Sequence, residues 1–172
     1  MKKFYLKNKN AGFSLIETII YIALYGILIG GVVVSMYNMF ESSSRNQTKA
    51  MVQQEGTYLL GKIDWALTGA STVSVSPTSQ QLYINADHVI PSDNPLAFDA
   101  SGGVLTLKRG TKTSVRLNNT NTTLSNTVFT HTVASGDGLS PESLRVSFTL
   151  TTKTPTGMVY SQDFSLVKYL RK

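Results

Sequence analysis

TIIYIALYGILIGGVVVSMYNMF, residues Thr18–Phe40, is a run of 23 residues without a charge. As a helix rising about 1.5 Å per residue it covers roughly 34 Å, enough to cross a hydrocarbon core of about 30 Å. Lys2, Lys3, Lys7 and Lys9 lie before it, and Glu41 follows directly after it. Positive charge on the N-terminal flank holds that flank in the cytoplasm and sends the residues beyond Phe40 across the membrane. The same four lysines account for most of the formal charge of +6: from Phe13 onward, 12 basic residues face 10 acidic ones. Net charge therefore does not mark the bulk of the chain for nucleic acid. With 172 residues there is room for one ordinary domain and an appendage. The absence of cysteine excludes a disulfide framework, a thiolate metal site and a lipid-modified cysteine.

A conventional secretory signal has an apolar region of roughly 7–15 residues. The run here exceeds that, although Ser42 and Ser44 form a small-x-small step beyond it. A plain signal-anchor accommodates the length. Neither reading accounts for Glu17, a carboxylate at the membrane edge of the apolar segment. A charged side chain at the centre of a membrane helix costs about 2.5–3.5 kcal/mol on insertion scales, so such residues are rare and usually functional. A local explanation also exists. Ser14-Leu15-Ile16-Glu17 fits the capping-box pattern S-x-x-E, in which the glutamate reaches back to the start of the helix.

Ala11-Gly12-Phe13-Ser14-Leu15-Ile16-Glu17, after a lysine-rich leader and before a long apolar run, resembles the type IV prepilin motif. The resemblance covers about the first 45 residues and implies a pilin-like α+β fold. It also implies cleavage after Gly12 by a cytoplasmic prepilin peptidase, with Phe13 as the N-methylated mature terminus. Glu17 becomes the fifth mature residue, which in that family pairs with the N-terminal amine of a neighbouring subunit during assembly. Physically, a carboxylate in low dielectric is far less costly beside a cation than alone. Gly26-Ile27-Leu28-Ile29-Gly30 adds a G-x-x-x-G step, which permits close helix–helix approach in lipid. Tyr21 and Tyr25 share its face.

Past the membrane the helix is expected to continue. Glu41 to Ala70 contains no proline, and Val52, Gly56, Leu59, Leu60, Ile63 and Leu67 fall on one helical face. A continuous helix from Phe13 to about Ala70 would be roughly 85 Å long, too long for a domain of this size to bury. Its first half is then membrane- or filament-embedded and its second half docked on a C-terminal domain. Gly69 and the Ser/Thr-rich stretch after it end the helix. Strands are expected at Thr72–Ser76, Gln81–Asn85, Gly103–Lys108, Thr113–Leu117, Val128–Val133, Ser143–Thr152 and Met158–Leu166, separated by turn signals. The last two flank a turn over Lys153–Gly157. The organisation read from these signals is a leader over 1–12, a transmembrane or filament-core helix over 13–40, its amphipathic continuation over 41–70, and a β-rich domain over 71–172. The fold class is α+β, a long N-terminal helix packed on an antiparallel sheet.

No catalytic arrangement emerges, and no enzyme activity, cofactor or metal is expected. His88 and His131 lie far apart in the chain, with no carboxylate at metal-ligand spacing from either. Asp87, Asp93 and Asp99 lack the D-x-[DN]-x-[DN]-G spacing of a calcium loop and read as solvated turn residues. Asn46-Gln47-Thr48, Asn118-Asn119-Thr120 and Asn121-Thr122-Thr123 match the glycosylation triplet but read as Asn/Thr-rich loop composition. Lys108, Arg109, Lys112 and Arg116 cluster around one turn and form a weak phosphate patch at most. No aromatic residue is interleaved with them, which favours a solvated hairpin tip over a DNA contact. The expected partners are therefore the prepilin peptidase, the cytoplasmic membrane, and other pilin subunits through the N-terminal helix. The expected function is that of a minor pilin in a type IV pilus, with a type II secretion pseudopilin or a DNA-uptake pilin as alternatives. Such a protein is single-pass, N-terminus in the cytoplasm, before entering a periplasmic or extracellular filament.

Overall fold

The computed structural model describes residues 13–135 and 140–170. It divides into two compact units, Met1–Ser43 and Ser44–Lys172. In the first, the described residues form the N-terminal part of helix α1, which spans Leu15–Leu67. Every residue from Thr18 to Phe40 is exposed, apolar ones included. Water is not the solvent this surface is made for. The segment is long and apolar enough to cross a membrane.

In the second unit the remainder of α1 turns a narrow face inward: Thr48, Val52, Gly56, Leu59, Ile63, Ala66 and Leu67 are buried. These positions recur every three or four residues, as a helix docked along one side requires. Leu60, expected in this set, sits at its margin and packs on the core while only partly buried. Gly69, in the left-handed region at φ +71°, stops the helix where a residue with a Cβ would be strained.

Two antiparallel sheets follow. The first is a meander of β1 (Ala70–Val75), β2 (Gln81–Ala86), β3 (Leu96–Asp99), β4 (Thr106–Arg109) and β5 (Val115–Arg116), in that order. The second comprises β6 (Thr122–Thr132), β7 (Ser143–Lys153) and β8 (Val159–Tyr169), with β7 central. Along β7 every second residue from Leu144 to Thr152 is buried, the period-two signature of a half-buried strand. Leu82, Ile84, Leu96 and Phe98 from the first sheet join Leu144, Val146, Phe148 and Leu150 from the second in one core with Leu59 and Ile63 of α1.

The fold class agrees with the sequence reading, and three details differ. There are two sheets rather than one. Strand β3 lies in Leu96–Asp99, just after the Pro/Asn-rich loop, where Leu96 and Phe98 point inward and are fully buried. Strand β6 begins at Thr122, six residues before the expected start. Its alternation is broken by a register shift between Ser125 and Val128, with Asn126 at φ +52°, so the Asn/Thr composition reads as loop although the threonines pair in a ladder.

Gly56 shows why a glycine sits inside the docked face. A Cβ there would overlap the ring of Phe164, which stacks on Phe148 at 5.5 Å between centroids. Gly61, on the same helix, is exposed and has open space where a Cβ would stand. Helix propensity favours Ala over Gly by about 0.8–1.0 kcal/mol at either site. Gly61→Ala is expected to stabilise the fold by up to about 1 kcal/mol, whereas overpacking makes Gly56→Ala destabilising by about 1–2 kcal/mol. Urea midpoints of the two variants against the parent check the opposite signs.

Candidate functional site

At the start of α1, Ser14 acts as the cap: its Oγ accepts the Glu17 backbone N–H at 3.3 Å, and its carbonyl accepts the Thr18 N–H at 3.2 Å. The reciprocal half of a capping box is not formed among the described residues. Instead the Glu17 carboxylate turns along the helix and accepts the Tyr21 hydroxyl at 3.1 Å, one turn on. The Phe13 ring meets Tyr21 edge-on at 6.3 Å. Phe13 itself is 76% exposed, and Gly12 lies outside the described residues. Tyr21 as the partner of Glu17 was not identified from sequence, although i, i+4 spacing carries the signal.

Further along, Gly26 and Gly30 have nothing within 4 Å of where a Cβ would stand. They leave two shallow gaps in an apolar helix surface that no group among the described residues fills. Backbone approach by another helix is what such gaps permit.

The second unit holds the remaining candidate residues, several of them engaged locally. Asp93 is buried, and its Oδ1 is 2.6 Å from Lys112 Nζ, so it is not the solvated turn residue expected from sequence. Gly110, at φ +52°, allows this pairing: its backbone packs against the Ser92 carbonyl, where a Cβ would overlap, and draws the β4–β5 turn onto the Pro91–Asp93 loop. Asp99 accepts the Ser101 N–H at 3.0 Å and the Gln81 amide at 3.3 Å. His131 Nε2 lies 2.9 Å from Glu142 Oε1 in a mostly buried pair. His88 packs edge-on against Trp65 at 5.1 Å. Arg116 donates to the carbonyls of Asn118 and Asn119 at 2.8 and 2.7 Å and so serves the loop it belongs to. Glu55 ties that loop to α1, accepting the Asn119 N–H at 2.5 Å and the Thr122 hydroxyl at 2.6 Å. Among the described residues no group of three His, Asp or Glu is placed to hold a metal ion.

The long apolar helix and the antiparallel sheets give an α+β protein of pilin-like architecture, whose N-terminal segment fits a membrane anchor. The family model described as the prokaryotic N-terminal methylation motif matches residues 7–33, and this is the type IV prepilin signature. The motif supports membership of the type IV pilin and pseudopilin family, whose members are structural rather than catalytic, and implies processing by a peptidase, association with a membrane and assembly with other pilins. No curated protein and no solved structure gives a significant match to the chain.

Proposed function

We propose that this chain is a structural subunit, a minor pilin, of a type IV pilus-like filament. In this reading the leader 1–12 is removed after Gly12 and Phe13 becomes the N-methylated mature terminus. Residues 13–40 anchor the subunit in the cytoplasmic membrane with the leader side in the cytoplasm, then form its share of the filament core. Residues 41–70 continue the helix, and 71–172 form the domain carried outside, in a periplasmic or extracellular filament. Glu17 pairs with the terminal amine of a neighbouring subunit, and Gly26 and Gly30 admit its helix.

The observation that carries the reading is the Glu17 carboxylate. It stands at the base of a fully exposed apolar helix, and its described bond is to the Tyr21 hydroxyl rather than to the helix start. A neutral hydroxyl does not balance its charge, and in low dielectric an unbalanced carboxylate is costly. A cation from outside this chain does.

Processing is tested by mass spectrometry of the mature protein. The first peptide is expected to begin at Phe13 and to carry one methyl group on its amine. Gly12→Leu is expected to leave full-length protein in the membrane, because a bulky side chain blocks close approach of the peptidase to the backbone. A mature terminus after Ser44 would instead identify a secretory signal and remove the prepilin reading.

A further inference from the structure

We infer that the second unit binds the headgroup of an anionic glycerophospholipid, in a cleft between the start of its helix and the β7–β8 turn. The cleft, of about 530 Å³, is bounded by Ser44, Gln47 and Met51 of α1, by Thr123 of β6, and by Lys153 and Val159 at the turn. That volume falls within the range of small-ligand sites. Lys153 supplies a cation, and no carboxylate lines the cleft. Glu55, one turn of α1 beyond Met51, is already held by the Asn119 N–H and the Thr122 hydroxyl. The side-chain donors of Gln47, Thr123 and Lys153 have no partner among the described residues. Thr48 and Thr152, both buried at the cleft, are spent on the Ser44 and Asn121 carbonyls at 3.0 and 2.8 Å. The turn is built before any ligand arrives. The Met158 carbonyl accepts the Thr154 N–H at 2.7 Å, the Thr154 carbonyl accepts the Gly157 N–H at 2.8 Å, and Arg45 of α1 reaches Met158 Sδ at 3.9 Å.

One cation, an amide and a hydroxyl beside the apolar walls of Met51 and Val159 suit a phosphate esterified to a small polyol, with hydrocarbon next to it. No aromatic ring lines the cleft and a single cation serves it, so neither bases nor a string of phosphates are matched. Position selects the lipid over a soluble phosphate ester. Ser44 follows Phe40 by four residues, about 6 Å of helix. The headgroup layer on one side of a bilayer is about 5–7 Å thick, the difference between a total of about 40–45 Å and a core of about 30 Å shared over two faces. The cleft therefore begins at headgroup depth, a step that rests on the reading of residues 13–40 as the membrane anchor. Met158 and Val159, 42% and 63% exposed, stand at the turn as apolar groups beside the cation, the pairing that a lipid surface accepts. Such a site is occupied only while the subunit is in the membrane, and it releases the lipid when assembly draws the anchor out.

The full chain in detergent micelles is analysed by native mass spectrometry with added phosphatidylglycerol, phosphatidylcholine or soluble glycerol 3-phosphate. It is expected to retain one phosphatidylglycerol about fivefold more tightly than phosphatidylcholine, whose own cation opposes Lys153. Lys153→Gln is expected to weaken retention about fivefold, the effect of one lysine near an anionic surface, and Gln47→Leu about threefold, that of one neutral hydrogen bond. Both side chains are exposed, so the fold survives either change, and unchanged urea midpoints check this. Lys49→Gln, exposed on α1 but outside the cleft, is expected to leave retention as in the parent. The inference is overturned if Lys49→Gln weakens retention as much as Lys153→Gln, which would mark general surface charge. It is equally overturned if glycerol 3-phosphate binds as tightly as the lipid, which would mark a soluble ligand, or if phosphatidylcholine is retained equally. None of these results bears on the mature terminus, whereas a terminus after Ser44 removes the anchor itself, so the two readings fail separately.

Discussion

Glu17→Gln is expected to lower the ratio of this subunit in sheared filaments to that in membranes at least tenfold, with membrane insertion and leader cleavage unchanged. Glutamine keeps an acceptor oxygen for the Tyr21 hydroxyl, and the Ser14 cap uses the backbone N–H of residue 17, which any side chain retains. The local helix therefore survives the change. Only the charge is lost. Breaking one side of a buried ion pair costs about 3–5 kcal/mol, and partial hydration at the membrane edge reduces that toward the 1.4 kcal/mol that separates populations tenfold. A cap, by contrast, contributes about 1 kcal/mol and is insensitive to this substitution. Tyr21→Phe supplies the control: it removes the intrahelical hydrogen bond, leaves the carboxylate, and is expected to leave the ratio near that of the parent. An unchanged ratio for Glu17→Gln would return Glu17 to a local role at the helix start.

Leu59→Asp is expected to destabilise the second unit by more than about 4 kcal/mol, a large share of the 5–15 kcal/mol that holds a typical domain together. Leu59 is 0% exposed and belongs to the same buried cluster as Ile63 and both sheets. A carboxylate there loses its hydration and gains no cation, so it either unfolds the seam or is held neutral at similar cost. Leu59→Met, which keeps volume and polarity, is expected to cost under about 1.5 kcal/mol. Unfolding of the full chain in detergent, followed by Trp65 fluorescence in urea, separates the two. A midpoint for Leu59→Asp equal to that of the parent would place the docked face of α1 elsewhere.

Much of this architecture is legible one residue at a time. An uncharged run from Thr18 to Phe40 is a property of composition, and so is its fitness for lipid. The docked face of α1 follows from helical period, and Val52, Gly56, Leu59, Ile63 and Leu67 are buried as that period requires. The β7–β8 hairpin is equally plain, because an unbroken alternation of eleven residues leaves only one face to bury. What failed was local signal without local cause. Strand β3 is four residues long beside two prolines, and β6 carries a bulge that breaks its period. Both exist because neighbouring strands supply ladder partners, Leu82 opposite Phe98 and Leu150 opposite Leu124. Such partners are distant in the chain.

The apolar N-terminal helix, the methylation motif around Phe13 and the carboxylate at Glu17 depend only on residue type and order, and all three are legible before folding. Where the polar groups of the second unit go depends instead on packing. Asp93 finds Lys112, His131 finds Glu142, and Arg109 lies over the Trp65 ring, each pair brought together across elements by burial of the core rather than by spacing. The physical reason is range. Hydropathy and periodicity act over one or two turns of chain, whereas ion pairing and ring stacking act over a few ångströms of space, and only packing converts the one into the other.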